Sequence, residues 1–382
     1  MSVFGPRDKI EAVPRTRPRS RVPYNDYVDT MRRLLTIALL SAGILSAQKP
    51  SFTVGWSIYA GWTPYHYMNK SGLLKKWADK YGITIKVQRF DYAPSLDAFV
   101  ARNIDACTMT NMEALDMPAA SGVPTTAVII GDYSNGNDAL LARNGLQLKD
   151  LGGKKLLLVQ KTVSEYLFDR AMAIGGQKDL IKRVKLVNTS DSDIAAAFLN
   201  DPGAQAVVTW KPMVSQVAKG KGVASLFNSS QIPGEILDLT VVRTDVLERP
   251  DGSGQKFAKA LTGAWYEMMG LMAAQGPGTD KVLAAIAEGW SDTLPAYKEQ
   301  LSTTKMFYTA KSAGDFGKSA DLKKTMELVR RFCFEHGLLG SNTKTVDEVA
   351  IRFPDGTVQG RADRVRLKFD SAYMDLAAQG KL

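Results

Sequence analysis

Trp56, Tyr59, Trp62 and Tyr65 crowd into one short stretch, Gly55-Trp56-Ser57-Ile58-Tyr59-Ala60-Gly61-Trp62-Thr63-Pro64-Tyr65, where a short apolar strand breaks into a loop. Turns favour small polar residues, so rings at this density have another use. At the carboxyl end of a strand in an open α/β sheet they are placed to wall a crevice. Filling the core beneath the loop is the competing use. It suits Trp56, whereas the glycines beside Tyr59 and Trp62 leave backbone room for a ligand against those two rings. Acids stand at the ends of later apolar strands: Glu113, Asp138, Glu165, Glu235 and Asp238. Carboxylates accept hydrogen bonds and carry charge, and rings offer flat faces, which is the chemistry of holding a molecule. No nucleophile or metal spacing accompanies them. The histidines are His66 and His336 alone, with no Cys–His or Ser–His pairing, so no catalytic step, cofactor or metal is expected.

Each acid also has a structural use. Thr110-Asn111-Met112-Glu113 and Thr162-Val163-Ser164-Glu165 both read as capping boxes, in which the glutamate bonds back to the backbone at the N-cap. Asp138, after Asn137 and before a strand, can satisfy turn amides. Asp238 lies inside Ile236-Leu237-Asp238-Leu239, where burial without a countercharge is costly. Asp138 and Asp238 are therefore the acids favoured as ligand contacts.

The elements that position these residues follow from the hydrophobic period. A chain of 382 residues, 45% hydrophobic and 23% charged, supports one large or two smaller cores. Gly72–Tyr81 carries Leu73, Leu74, Trp77 and Tyr81 on one helical face; Ile83–Phe90 alternates as a strand; Ser95 begins a helix; Ile104–Thr108 is a buried strand. Such βαβ series imply parallel sheets. A second run follows, with strands at 155–159, 184–187 and 206–210 and helices at 164–174 and 191–199. A strand at 237–242 then leads into a long helical remainder, 255–340, and the chain closes on a hairpin turning at Pro354-Asp355-Gly356. The polar loop 131–138 lacks the glycine and the acid that an EF-hand loop needs, so calcium is set aside.

Met31-Arg32-Arg33 followed by an apolar run to Ala47 reads as a secretory signal peptide, with residues 1–30 a dispensable stretch ahead of the true start at Met31. Of the net charge of +10, residues 1–47 carry +4, and the rest is spread without a basic run, which argues against nucleic acid. Cys107 and Cys333 sit in apolar settings as two buried thiols.

Several of these stretches together carry a resemblance: the aromatic loop, Phe90-Asp91-Tyr92-Ala93-Pro94-Ser95, Asp105-Ala106-Cys107-Thr108-Met109-Thr110-Asn111-Met112-Glu113-Ala114, Gly131-Asp132-Tyr133-Ser134-Asn135-Gly136-Asn137-Asp138, Thr209-Trp210-Lys211-Pro212 and the Phe353-Pro354-Asp355-Gly356 hairpin. From about Phe52 onward the chain resembles a periplasmic solute-binding protein of an ABC importer, of the nitrate/taurine type. More narrowly it resembles the urea group, linked to urea-carboxylase operons, some of them associated with guanidine. The resemblance implies an α/β, two-lobed periplasmic-binding-protein fold of type II with two hinge strands. Lobe I would span 50–141 and 241–382, with lobe II at 142–240. It also implies a periplasmic monomer that works with an ABC permease and its ATPase.

Within that frame the crevice chemistry separates ligands. Helix N-termini favour anions such as nitrate, taurine and other sulfonates, and a cation needs carboxylates instead. Guanidinium, planar and rich in donors, matches bidentate carboxylates and a stacked ring from Tyr59, Trp62 or Trp210. Urea needs in addition a donor for its oxygen, for which Asn111, Asn135 or Asn137 is available. The expected ligand contacts are Tyr59, Trp62, Asn111, Glu113, Asn135, Asp138, Glu165, Trp210 and Asp238. The leading expectation is capture of guanidinium or urea. The alternatives are an anion binder of the same family, an enzyme of the same fold from the thiamine-pyrimidine or menaquinone pathways, or a ligand-sensing partner of a membrane receptor. The pyrimidine synthases need a cysteine-rich segment and a histidine in an arrangement absent here.

Overall fold

The computed structural model describes residues 48–382; the leader and signal-peptide reading of 1–47 lies outside the described residues. The chain begins in a first sheet with β1 (Ser51–Trp56), β2 (Thr84–Arg89), β3 (Ala106–Thr110) and β4 (Thr125–Ser134). It crosses to a second sheet built from β5 (Ala139–Arg143), β6 (Lys155–Leu158), β7 (Lys185–Asn188), β8 (Ala204–Thr209) and β9 (Val223–Asn228). It then returns through β10 (Leu237–Arg243), β11 (Thr304–Met306), β12 (Ala350–Arg352), β13 (Val358–Gln359) and β14 (Val365–Phe369). The first sheet is ordered β13-β12-β14-β4-β10-β3-β1-β2, with β11 added beside β4; the second is β7-β6-β8-β5-β9. β1 is parallel to β2 and β3, as the βαβ pattern requires, while β10 runs antiparallel between β3 and β4. A returning strand with no helical crossover before it pairs in that sense.

Each sheet nucleates one lobe. Against the first packs the helix Ser253–Ala273, burying Phe257, Leu261, Trp265, Met268 and Met269; Trp56 and Tyr65 belong to the same core. The crossings lie at 135–138 and 229–236, so β5 sits wholly in the second lobe and β10 wholly in the first. Apolar strands on either side of a hinge look alike in sequence, which is why the period alone does not locate the change of sheet. The two crossings are pinned together: Ser134 Oγ and Ser229 Oγ lie 2.7 Å apart, and Ser229 N donates to Asp138 O at 2.9 Å.

Several element readings change. The second half of β4, residues 131–134, is strand where a polar loop is expected. The helix expected to start at Ser95 spans Tyr92–Val100. After β3 the chain enters a π-helical turn at Leu115–Ala119. The long helical remainder is five helices interrupted by β11, and β9, β11 and β14 are strands that the period does not reveal. The closing hairpin pairs Ile351 with Gln359 and Arg352 with Val358, and Gly356 takes φ +83° at the turn. Cys107 and Cys333 are both free and buried, and burial pushes the Cys107 thiol up to about 12.

Candidate functional site

Strand register assembles the floor of the site. On β10, Asp238 stands directly opposite Thr110 of β3 on one side and Asp132 of β4 on the other. Directly paired residues share a face, so three polar side chains line up across three adjacent strands. The β4–β10 ladder slips at this point: Asp238 pairs with Asp132 but Leu239 with Ile130, leaving Gly131 as an extra residue. Such a bulge re-aims the side chain beside it. Asp138 joins from the first crossing, its N–H donating to Ser134 Oγ at 3.1 Å.

Rings cover this floor. Tyr59, Trp62, Tyr92 and Trp210 form a chain with successive centroid distances of 5.0, 5.3 and 5.5 Å. The first three come from the first lobe. Trp210 follows β8 in the second and reaches across, its Nε1 donating to Ile58 O at 3.2 Å. Between rings and acids remains a cavity of about 10 Å³, lined also by Thr110, Val163 and Ile236, with Asp138 and Asp238 on its wall. That is room for about one water-sized sphere. Gly61 lets Asp132 approach, because a Cβ there would lie 2.1 Å from Asp132 Oδ2.

The electrostatics of this cavity are one-sided. Asp132, Asp138, Asp238 and Glu113 are each at most 3% exposed, and among the described residues none of them has an ion-pair partner. Burying a charge unpaired costs several kcal/mol, so such a group moves toward neutrality. Desolvation first, then the neighbouring Asp132 and Asp138 charges, hold the Asp238 carboxyl well above the usual carboxylate range. Burial likewise raises Asp132, and burial with the Glu113 charge pushes Asp138 up to about 7. Tyr59 Oη donates to Asp132 Oδ1 at 2.7 Å. Asp132 Oδ2 and Asp238 Oδ2 find no donor among the described residues, and Trp62 Nε1 finds no acceptor. Two carboxylates cannot satisfy each other unless a proton is held between them.

The expected contacts therefore divide. Tyr59, Trp62, Asp138, Trp210 and Asp238 line the cavity. Glu113 lies beside it but is turned to the second lobe, where Val163 N donates to its Oε1 at 2.6 Å; Thr110 Oγ1 donates to its Oε2. Its capping box is therefore not the expected one, since Thr110 N donates to Tyr92 Oη instead. Glu165 stays local but does not close the expected box either: it accepts from Lys161 N at 2.8 Å, one residue ahead of the N-cap Thr162. Asn111 spends its amide on the second crossing, donating to Glu235 O at 3.0 Å and accepting from Leu237 N at 3.1 Å. Asn137 is similarly engaged with Thr304 and Lys211, and Asn135 does not reach the cavity. Glu235 is paired with Arg170. Beyond the expected contacts, Tyr92, Thr110, Val163 and Ile236 also line the cavity, and Asp132 stands behind it, paired with Asp238 across the strands. Asp132 was hidden by reading its strand as a loop, and Tyr92 by starting its helix three residues late.

Outside the rings the cleft between the lobes widens to about 470 Å³, with Arg89, Asp91, Asp191 and Lys219 on its walls. It mixes charges of both signs near solvent, unlike the inner cavity.

No protein-family model matches the chain, and no curated protein matches it. Solved structures do. The alkanesulfonate-binding protein SsuA from Xanthomonas axonopodis pv. citri, bound to MOPS, is similar over 77% of this chain and 96% of its own at 15% identity, TM-score 0.61. The periplasmic aliphatic sulphonate-binding protein SsuA from Escherichia coli is similar over 78% and 96% at 17% identity, TM-score 0.61. The periplasmic nitrate-binding protein NrtA from Synechocystis PCC 6803 is similar over 86% and 98% at 11% identity, TM-score 0.53. At these identities the likeness is one of fold: the chain has the two-lobed α/β fold of periplasmic binding proteins, with its cavity between the two sheets.

Proposed function

We propose that this chain is the extracytoplasmic substrate-binding component of an ABC importer and that it captures a small nitrogen-rich cation, guanidinium, between its lobes. The observation that carries the reading is the set of buried, unpaired carboxylates around a ring-walled cavity. Asp138 and Asp238 offer acceptors with negative charge, and Trp62 and Trp210 offer flat faces. A planar cation with donors in one plane answers both. Closing rings over it removes water and strengthens each contact. A cavity this small favours a ligand of few heavy atoms, and the lobes would have to part to admit one. Solved structures of the same fold are named for sulfonate and nitrate; on this reading the chain's own partners are a permease and an ATPase. An anion, however, would meet Asp138 and Asp238, with Asp132 and Glu113 buried close by, and no lysine or arginine on the cavity wall.

Urea is the second reading, favoured by its shape and by the unpartnered Trp62 Nε1, which can donate to a carbonyl oxygen. Enzymatic turnover has no nucleophile–base pair in the cavity to support it. Isothermal titration calorimetry of the chain from Lys49 onward against guanidinium, urea, taurine and nitrate tests the reading. Saturable binding of guanidinium with no heat from the two anions is expected; binding of an anion alone would end the cation proposal.

A further inference from the structure

Two helices aim their N-termini at the cleft, one from each lobe, and each is already met by a carboxylate from the opposite lobe. Helix Val163–Ile174 of the second lobe receives Glu113 of the first, through Val163 N at 2.6 Å. Helix Tyr92–Val100 of the first lobe receives Asp191 of the second, whose two oxygens both lie 3.3 Å from Tyr92 N. The remaining donors of the longer helix are also engaged: Ser164 N with Thr162 Oγ1 at 3.3 Å, and Glu165 N with Thr162 O at 2.8 Å. Helix N-termini are the backbone's ready-made anion sites, because free N–H groups and the dipole favour negative charge there. Val163 lines the cavity that also holds the unpartnered oxygen of Asp238, so the end of this helix and the ligand-facing acids share one space.

We propose that Glu113 is the residue that sets the sign of the ligand this cleft accepts: it fills the cavity-facing helix N-terminus with the protein's own anion, closing that position to anionic ligands while adding negative charge beside the acids. Asp191 does the same for the other helix at the cleft mouth. The assignment rests on the cation reading above and names the residue responsible for it. Val163 N–H and Thr110 Oγ1 both donate to the Glu113 carboxyl, which fixes it in place and favours its ionised form against the burial that raises its pKa. Removing it would leave Val163 N–H facing the cavity without an acceptor, a donor that a sulfonate or nitrate oxygen can take.

The test is calorimetry with guanidinium chloride and with sodium methanesulfonate on the wild-type chain, on Glu113→Ala and on Glu113→Gln. Wild type should bind guanidinium and give no heat with methanesulfonate. Glu113→Ala should lose at least about tenfold in guanidinium affinity, because a charge near the ligand is gone, and should gain saturable methanesulfonate binding. Glu113→Gln keeps an acceptor for Val163 N–H, so it should lose guanidinium affinity similarly yet stay blind to methanesulfonate. Guanidinium binding within twofold of wild type in either variant overturns the proposal, and so does a Glu113→Ala protein that weakens toward guanidinium without gaining the anion. If circular dichroism shows Glu113→Ala unfolded, the guanidinium affinity of the isosteric Glu113→Gln decides. Failure of wild type itself to bind guanidinium defeats the cation reading, whereas unchanged variants of a guanidinium-binding wild type defeat only the role of Glu113.

Discussion

Asp238 sits on the central strand of its sheet between Thr110 and Asp132, with one carboxylate oxygen that no described donor reaches. Truncating one partner of a buried charged hydrogen-bond pair costs about 2–5 kcal/mol, so Asp238→Asn should weaken guanidinium at least about thirtyfold in calorimetry. Asp138 carries the pH dependence. Its folded-state value of about 7 lies above the ordinary carboxylate value, so the stability it contributes is full below about pH 4 and is lost as pH rises through 7. Thermal melts of unliganded wild type and Asp138→Asn should therefore diverge across that window, the asparagine variant holding its midpoint where wild type declines. A cation prefers the ionised acids, so binding expels protons. Guanidinium affinity should rise between about pH 5 and 8, whereas neutral urea should show no such rise. Asp138 and Asp238 are legible in the sequence because an acid inside an apolar strand end is costly and so calls for a reason. Asn111 is not, because a buried amide that pins a crossing looks the same in sequence as one that meets a ligand.

At the scale of elements, the loop after β1 and the bulge in β4 are one device. Gly61 passes so close to Asp132 that a methyl group there would overlap its carboxylate. Overpacking of this kind costs about 1–3 kcal/mol, so Gly61→Ala should lower the thermal midpoint and weaken ligand binding together, with Asp132 displaced. A surface glycine replacement such as Gly278→Ala, which meets nothing within 4 Å, is the control and should leave binding unchanged. In the aromatic stretch the glycines beside Tyr59 and Trp62 mark the two rings that line the cavity, while Trp56 and Tyr65 fill the core. The bulge is not legible, because one extra residue at Gly131 shifts the period-two pattern and makes the end of β4 read as a polar loop. Tyr92 is hidden for a related reason: Ser95 offers a familiar capping residue, while the actual N-cap, Asp91, makes no side-chain cap and leaves its helix to Asp191.

At the scale of the molecule, two lobes meet through a few polar clasps around a cavity that neither lobe forms alone. Glu113 and Asp191 reach across the cleft, Trp210 donates to Ile58 O, and Lys211 pairs with Glu299 between lobes. The two-sheet architecture is legible from the repeated strand–helix period; the points where the chain changes sheet are not, since the crossings are short and bordered by strands of like composition. The two neighbouring crossings are pinned together through Ser134 and Ser229, the arrangement that hinge closure around a ligand requires. Closure over a cation would bring together groups that repel one another without it. The most direct measurement is a crystal structure of the chain grown with guanidinium. The account predicts the cation in the inner cavity, its plane against Trp62 or Trp210 and its N–H groups within about 3 Å of the Asp138 and Asp238 carboxylates. A cation found only in the outer cleft near Asp91 and Asp191, or an inner cavity that takes up an anion instead, would contradict it.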